Sequence, residues 1–360
     1  MKNKEHKFPY NWTLKDAIFT KDKGKVFSCF ACGGGSTMGY KLAGFDVLGC
    51  NEIDPKMIEA YKTNHNPKYA YLEPIQTFKL RKDLPKELYD LDILDGSPPC
   101  SSFSMAGNRE KDWGKDKVFR EGQAMQVLDT LFFDFIDLAK ELQPKVVVAE
   151  NVEGLLRGEA KSYVIEIYKQ LDSAGYYVQH FLLNSKKMGV PQSRSRVFFI
   201  ALRKDLADQF LYNHDMFTML PKIEMLFNEK EIKYKQVEIK GDFENLLSDF
   251  DLELWNKRID TDSDFSDING RTRNKPNTGF GTTFAKRDKF CNTLTSKKDC
   301  IANFHEGRYL SSNEKKLIGS YPFDYDFLNL EPGYLIGMSV PPVMTAHVAS
   351  NIYDQWLSKL

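Results

Sequence analysis

Val26-Phe-Ser-Cys-Phe30-Ala-Cys32-Gly33-Gly34-Gly35-Ser-Thr-Met-Gly39, continued through Phe45-Asp-Val-Leu-Gly-Cys50 to Asn51-Glu52-Ile53-Asp54, is the stretch from which the fold is read. Val26 to Phe30 is a short apolar run bounded by a glycine cluster, the signature of a buried strand. The glycines supply a turn and a helix start, and Tyr40 to Gly44 completes a short helix. Phe45 to Cys50 is a second strand, ending on Glu52. A strand, glycine turn, helix and strand with an acid at the second tip is a unit that binds adenosine-containing cofactors. The glycines let backbone approach the ligand, and the acid accepts hydrogen bonds from ribose hydroxyls. A glycine turn also occurs where a strand merely joins a helix; the spacing of Glu52 favours the cofactor reading.

A second strand end stands further along, in Asp92-Ile-Leu-Asp95-Gly-Ser-Pro98-Pro99-Cys100-Ser-Ser-Phe-Ser104. The apolar run Leu91 to Leu94 reads as a buried strand, stopped abruptly by Gly96 and two prolines whose rings fix φ. Cys100 follows at the carboxyl end of that strand, where open α/β sheets place their ligands. It is a candidate nucleophile; the bland alternative is a small buried thiol. Residues 101–121 are polar and mixed in charge, as a lid or a solvated loop would be. Gly122 to Leu142 reads as a helix with Leu128, Leu131, Phe132, Phe135 and Leu138 on one face. Lys145 to Ala149 reads as a central parallel strand ending in Glu150-Asn151-Val152. Met57 to Asn64 and Ser162 to Ala174 are further helices, and residues 65–90 look irregular. Tyr177 to Asn184 and Val197 to Leu202 form a final strand pair around Gln192-Ser-Arg194-Ser-Arg196. Alternating strands and helices argue for an α/β, doubly wound sheet.

At 360 residues the chain suits one large domain plus a smaller one. Six cysteines without an extracellular framework pattern suggest a reducing compartment. No apolar run is long enough to span a membrane. The polar start, Met1 to Phe8, lacks the apolar core of a signal peptide. Fifty Lys and Arg balance fifty Asp and Glu, so a polyanion must meet a local patch. Residues 270–298 provide one: eight basic residues against Asp288 alone, net +7, interleaved with Asn274, Asn277 and Phe280. Residues 204–256 are acidic instead, with 6 Lys/Arg against 12 Asp/Glu. The basic density favours a nucleic-acid surface over a merely solvated face. Gly337-Met-Ser339-Val340-Pro341-Pro342 leads into a C-terminal helix, Val343 to Leu357. Cys29-x-x-Cys32 has no second ligand pair, so no metal is expected.

Glu52, Cys100 and Glu150-Asn151 thus share one sheet edge, with Arg194 and Arg196 nearby. They suit attack on an electron-poor ring: a thiolate adds to C6 of cytosine, an acid meets N3, and C5 turns nucleophilic. A base within a duplex must first be flipped out. The chain here resembles the DNA (cytosine-5)-methyltransferase family over nearly its whole length. The resemblance is carried by Phe30-Ala-Cys-Gly-Gly-Gly35, Asn51-Glu-Ile-Asp-Pro55, Pro98-Pro-Cys100, Glu150-Asn-Val152, Gln192-Ser-Arg-Ser-Arg196 and Gly337-Met-Ser-Val-Pro341.

The resemblance implies a Rossmann-like sheet over 1–203, a target-recognition domain over 204–330, and a C-terminal helix, 331–360, returning to the catalytic domain. It implies that Cys100 is the nucleophile, Glu150 the N3 partner, Asn151 its neighbour, and Arg194 and Arg196 active-site arginines. S-adenosylmethionine is expected against Phe30, Ala31, Gly34, Glu52, Ile53, Pro99, Leu131, Ser339 and Val340. Ser101, Ser104, Arg271, Arg273, Lys275, Lys286, Arg287 and Lys289 are expected to contact duplex DNA. A cytoplasmic, nucleoid-associated monomer is expected, in a bacterium or a phage-infected host, with a cognate restriction endonuclease as a possible partner.

Several positions depart from the family pattern. Ser28 stands where an acid is usual, Cys32 where the first glycine is common, Ser101 in place of glutamine and Met338 in place of asparagine. Three other functions compete: a nicotinamide or flavin oxidoreductase using Cys100, a non-catalytic DNA-binding scaffold, and an RNA cytosine-5 methyltransferase. The first leaves Glu150-Asn151, the arginines and the basic segment without a role. Retention of the cysteine, acid and arginines opposes the second, and the roughly 90-residue recognition segment opposes the third.

Overall fold

The computed structural model describes residues 6–99, 116–117, 126–127, 130–158, 160–215, 218–274 and 281–360. The chain forms two compact units, each discontinuous in sequence. A sheet-bearing unit holds Ile18–Leu183, Ser195–Leu226 and Thr345–Leu360; the second unit holds Met1–Ala17, Asn184–Arg194 and Phe227–Met344. They do not coincide with the consecutive blocks 1–203, 204–330 and 331–360: residues 184–194 belong to the second unit, and residues 204–226 to the sheet-bearing one.

In the sheet-bearing unit the elements are β1 (Lys25–Cys29), α1 (Gly35–Ala43), β2 (Asp46–Glu52), α2 (Pro55–His65), β3 (Tyr69–Leu72), β4 (Ile93–Gly96), α3 (Leu131–Leu142), β5 (Val146–Val152), α4 (Ala160–Ser173), β6 (Tyr176–Asn184) and β7 (Ser195–Arg203). The strands lie in the order β3-β2-β1-β4-β5-β7-β6. β1 runs parallel to β2 and β4, and β4 parallel to β5, with Val26 opposite Ile93 and Ile93 opposite Val146. β7 alone is shown antiparallel to β5, pairing Val146 with Leu202. This is the expected doubly wound α/β sheet.

The central strands are apolar on both faces because helices cover both sides. Their cover includes α3, whose Leu131, Phe132, Phe135, Ile136, Leu138, Ala139 and Leu142 are all buried. Asp54 caps α2 by accepting from Lys56 N and Met57 N, and Pro55 supplies the preset φ of the first helical position. Phe45 meets Tyr353 edge-on at 6.1 Å, and Trp356 Nε1 donates to Lys222 O at 2.8 Å.

Three local expectations change. The helix read from Gly122 begins at Leu131, and Gln126–Val127 pairs as a strand with Asp116–Lys117. The buried apolar face of the helix as described runs from Leu131 to Leu142. Residues 65–90 contain β3 and a helical turn, Ile75–Phe78. β3 is a four-residue edge strand, half-exposed, without the two-sided apolar run of a central one. The rest of the lid expected over 101–121 lies outside the described residues.

The second unit has its own core: Leu247, Leu254, Phe265, Ile268, Phe284, Ala302, Phe304 and Tyr309. Its helices Asp249–Trp255 and Phe265–Arg273 accompany two short parallel strands, Thr283–Ala285 and Ile301–Asn303. Arg308 forms a fully buried two-pronged pair with Glu314, at 2.7 and 3.0 Å, and Tyr234 donates to the same carboxylate at 2.9 Å. Such a pair fixes geometry more than it adds stability, since both charges have lost their water.

Candidate active site

The glycine turn follows β1 directly. Phe30 and Cys32 adopt left-handed backbone, φ 53° and 49°, and Gly34 sits at φ 87°. A Cβ on Gly34 would lie 2.2 Å from His65 Nε2 and 3.1 Å from Tyr61, so α2 behind the turn demands the glycine. His65 Nε2 bonds to Gly33 O at 3.2 Å, and burial, aided by Lys41, pushes the imidazole down to about 3. The neutral ring therefore supports the turn from below.

Glu52, at the tip of β2, holds the turn from the side. Cys32 N donates to its Oε2 at 2.7 Å; Ile53 N and Asp54 N donate to Oε1 at 2.8 and 2.9 Å. Burial raises the carboxyl above its usual range against those three N–H groups. A carboxylate offers about four acceptor positions. Three serve the backbone here, and one on Oε2 is left for a ligand hydroxyl. Phe30, Ile53 and Pro99, all half-exposed, supply apolar surface at the same sheet edge.

At the end of β4, Asp95 is buried and accepts from Ser28 Oγ (2.7 Å), Ser36 Oγ (2.8 Å) and Tyr40 OH (3.1 Å). Burial pushes it up to about 6 against those hydroxyls. Gly96 follows, where a Cβ would lie 2.5 Å from the Phe135 ring. The chain then turns through Pro98 and Pro99. Asn151, from β5, clamps that turn: its Nδ2 donates to Pro98 O at 3.1 Å while its Oδ1 accepts from Val152 N at 2.8 Å. Beside it Glu150 is largely buried, with Oε1 2.7 Å from Arg196 Nε. Cys100, Ser101 and Ser104 lie outside the described residues. The structure thus brings Glu150, Asn151, Arg196 and the proline turn together.

Comparison with known proteins decides the family. The family model for C-5 cytosine-specific DNA methylase matches residues 24–354. The chain belongs to the C-5 cytosine-specific DNA methylase family. It is 37% identical over 188 residues to the Type II methyltransferase M.NgoPII of Neisseria gonorrhoeae, covering 52% of this chain and 50% of that one. It is 26% identical to the Type II methyltransferase M.Bsp6I of Bacillus sp. (strain RFL6), over 92% of this chain and 99% of the relative. The fold matches a putative DNA modification methyltransferase encoded within an E. coli prophage, with TM-score 0.62, 20% identity, and coverage of 92% and 99%. The chain spans about half the length of the relatives it matches first.

The family uses S-adenosylmethionine as its methyl donor. The residues present fit it: Glu52 has an acceptor for ribose, and Phe30, Ile53 and Pro99 have apolar surface for a base. Three of the departures lie among the described residues. Cys32 keeps the left-handed φ for which glycine is common, at a cost of about 1 kcal/mol. Ser28 carries a hydroxyl, and the carboxylate beside it comes from Asp95. Met338 is exposed.

Ala31 and Leu131 are buried, Leu131 fully within the core. Ser339 and Val340 are buried in the second unit, where Ser339 Oγ donates to Leu335 O at 2.9 Å. Arg194, in that unit too, directs its fork at two carbonyls, Leu294 O and Gly337 O, each at 2.8 Å. Four basic residues of the segment are engaged internally. Arg271 pairs with Asp262 at 2.8 Å and Arg273 with Glu253 at 3.2 Å. Arg287 grips Glu238 at 2.7 and 2.9 Å. Lys286 is buried, bonded to Asp260 O and 4.5 Å over Phe304. Lys275 lies outside the described residues. Lys289 is exposed and lines, with Lys233, Phe290 and Asn292, a cavity of about 380 Å³. Sequence reading missed Asp95, although an acid closing an apolar strand was visible, and missed Lys233 because it precedes the basic run.

Proposed function

We propose that this methylase transfers a methyl group from S-adenosylmethionine to C5 of a flipped-out cytosine within a specific duplex DNA sequence. The observation that carries the reading is the cluster at the end of β5. Glu150 is paired with Arg196, and Asn151 clamps the proline turn two residues before Cys100. In this reading the Cys100 thiolate bonds to C6 as the Glu150 carboxyl, in its acid form and held by Arg196, donates its proton to N3. Electron density then builds at C5. S-adenosylmethionine supplies an electrophilic methyl group. With the methyl group on C5, loss of the C5 proton to water and breaking of the Cys100–C6 bond would restore the aromatic ring and release the thiolate. Glu52 and the turn it braces would hold the cofactor; the second unit would read the DNA sequence.

The reading extends to a monomer in the bacterial cytoplasm or a phage-infected host, associated with the nucleoid and partnered by a cognate restriction endonuclease. Among the described residues no helix is long and apolar enough to cross a membrane.

Bisulfite sequencing of DNA from a host expressing the chain tests the proposal. Protected cytosines in one sequence context are expected, absent with Cys100→Ser because a hydroxyl is a far weaker nucleophile than a thiolate. DNA containing 5-fluorocytosine should trap the wild type covalently. Methylation confined to RNA, or full activity in Cys100→Ser, would overturn it.

A further inference from the structure

Ser28 and Asp95 face each other across β1 and β4 as register partners, and Ser28 Oγ donates to Asp95 Oδ2 at 2.7 Å. Helix α1 directs two more hydroxyls inward, from Ser36 in its first turn and from Tyr40 one turn on. All four side chains are buried. An ionised carboxylate only accepts, so the three hydroxyls converge their protons on it. Asp95 therefore joins three pieces of chain. β1 enters the glycine turn, α1 leaves it, and β4 continues through Gly96, Ser97 and the prolines to Cys100.

An apolar side chain would fill this volume without desolvating a charge, so the carboxylate's return lies in fixed geometry. We propose that Asp95 is a positioning residue, which sets the cofactor turn against the strand that delivers the nucleophile. The proposal rests on the cofactor reading of the glycine turn. It assigns Asp95 no contact with cofactor or substrate. It also makes Ser28 and Asp95 exchangeable, because facing register partners can trade hydroxyl and carboxylate within one pocket.

Calorimetric titration of the full chain with S-adenosylhomocysteine tests this. Asp95→Asn keeps the volume and should weaken binding about tenfold, the value of one charge-assisted hydrogen bond, while unfolding stays cooperative. In a methylation assay the loss should fall on KM for the cofactor, with kcat at saturation retained. The exchange Ser28→Asp with Asp95→Ser should return affinity to within about threefold of wild type. Ser36→Ala keeps the carboxylate, removes one donor, and should weaken binding about threefold.

A merely structural tie would lower the melting temperature and leave the affinity of the folded protein unchanged. Wild-type affinity in Asp95→Asn overturns the proposal. So does an exchange variant no better than Asp95→Asn. If Asp95→Asn does not fold, wild-type affinity in Ser36→Ala overturns it. Failure of the wild type itself to bind S-adenosylhomocysteine overturns the cofactor reading, and this proposal with it.

Discussion

The sheet edge and the basic segment both concentrate charge, and they use it in opposite ways. At the sheet edge, the acids are buried and organise backbone. Glu52 takes three N–H groups of the turn, and Asp95 takes three hydroxyls around β1 and α1. In residues 270–298 the cations organise acids: Arg271, Arg273 and Arg287 each hold a carboxylate of their own unit. In both regions several of the charges serve folding. What is left for a ligand is local, one acceptor position on Glu52 and exposed cations such as Lys289. Net charge over a window locates a surface without telling which of its members are engaged.

The largest expected effect breaks the sheet-edge side of the comparison. Gly34→Ala places a Cβ 2.2 Å from His65 Nε2 and adds left-handed strain at φ 87°. The combined cost should be about 3–5 kcal/mol of stability, with cofactor-analogue binding lost. A double-mutant cycle with His65→Ala separates the two causes, and a coupling of roughly 1–3 kcal/mol is expected. Zero coupling would show that the turn, not the imidazole behind it, requires the glycine.

The buried acid gives a pH-dependent prediction of intermediate size. Asp95 is raised from 3.8 to about 6 in the folded chain. Between those values the native state keeps a proton that the unfolded chain has released, so stability falls as pH rises. The contribution is fully present below about pH 4 and lost on passing through about pH 6, roughly 3 kcal/mol in all. Asp95→Asn lacks this titration. Urea unfolding of both proteins from pH 4 to pH 7 should show the wild type losing roughly that amount relative to the variant. The opposing titration of His65 is common to both and cancels. A pH-independent difference would mean that ionised Asp95 is not destabilising.

How far the sequence was legible follows the same division. The strand ends at Cys29, Glu52, Gly96 and Val152 were readable because buried parallel strands impose apolar runs that glycine, proline and acids interrupt. The edge strand Tyr69–Leu72 was not, since one exposed edge relaxes that pattern. Glu150, Asn151 and Arg196 came together as expected because β5 and β7 are register partners, Asn151 opposite Val197. Arg194 is only two residues from Arg196, yet its guanidinium joins Leu294 and Gly337. Local sequence carries no record of carbonyls 100 and 143 residues away. The ion pairs of the basic segment were hidden for the same reason: Glu238 and Glu253 belong to the acidic stretch that precedes it.

The smallest effects separate the two kinds of cation within the basic segment. Arg287 covers Glu238, whose side chain is 1% exposed and which keeps one further donor, Asn303 Nδ2 at 3.1 Å. Arg287→Ala should cost about 1–2 kcal/mol of stability, because a buried acid loses its main partner while solvent reaches the vacated side. Lys289→Ala should leave stability unchanged within about 0.5 kcal/mol, since the side chain is exposed. Its effect should appear in DNA binding instead, as a salt slope lower by about one unit, the mark of one lost phosphate contact. Thermal unfolding and binding titrations at several salt concentrations, run on both variants, give a crossed pattern if pairing decides the role. If Arg287→Ala alters the salt slope as Lys289→Ala does, its pair with Glu238 opens on DNA. The segment's full charge would then be available to the polyanion, and the contrast with the sheet edge would disappear.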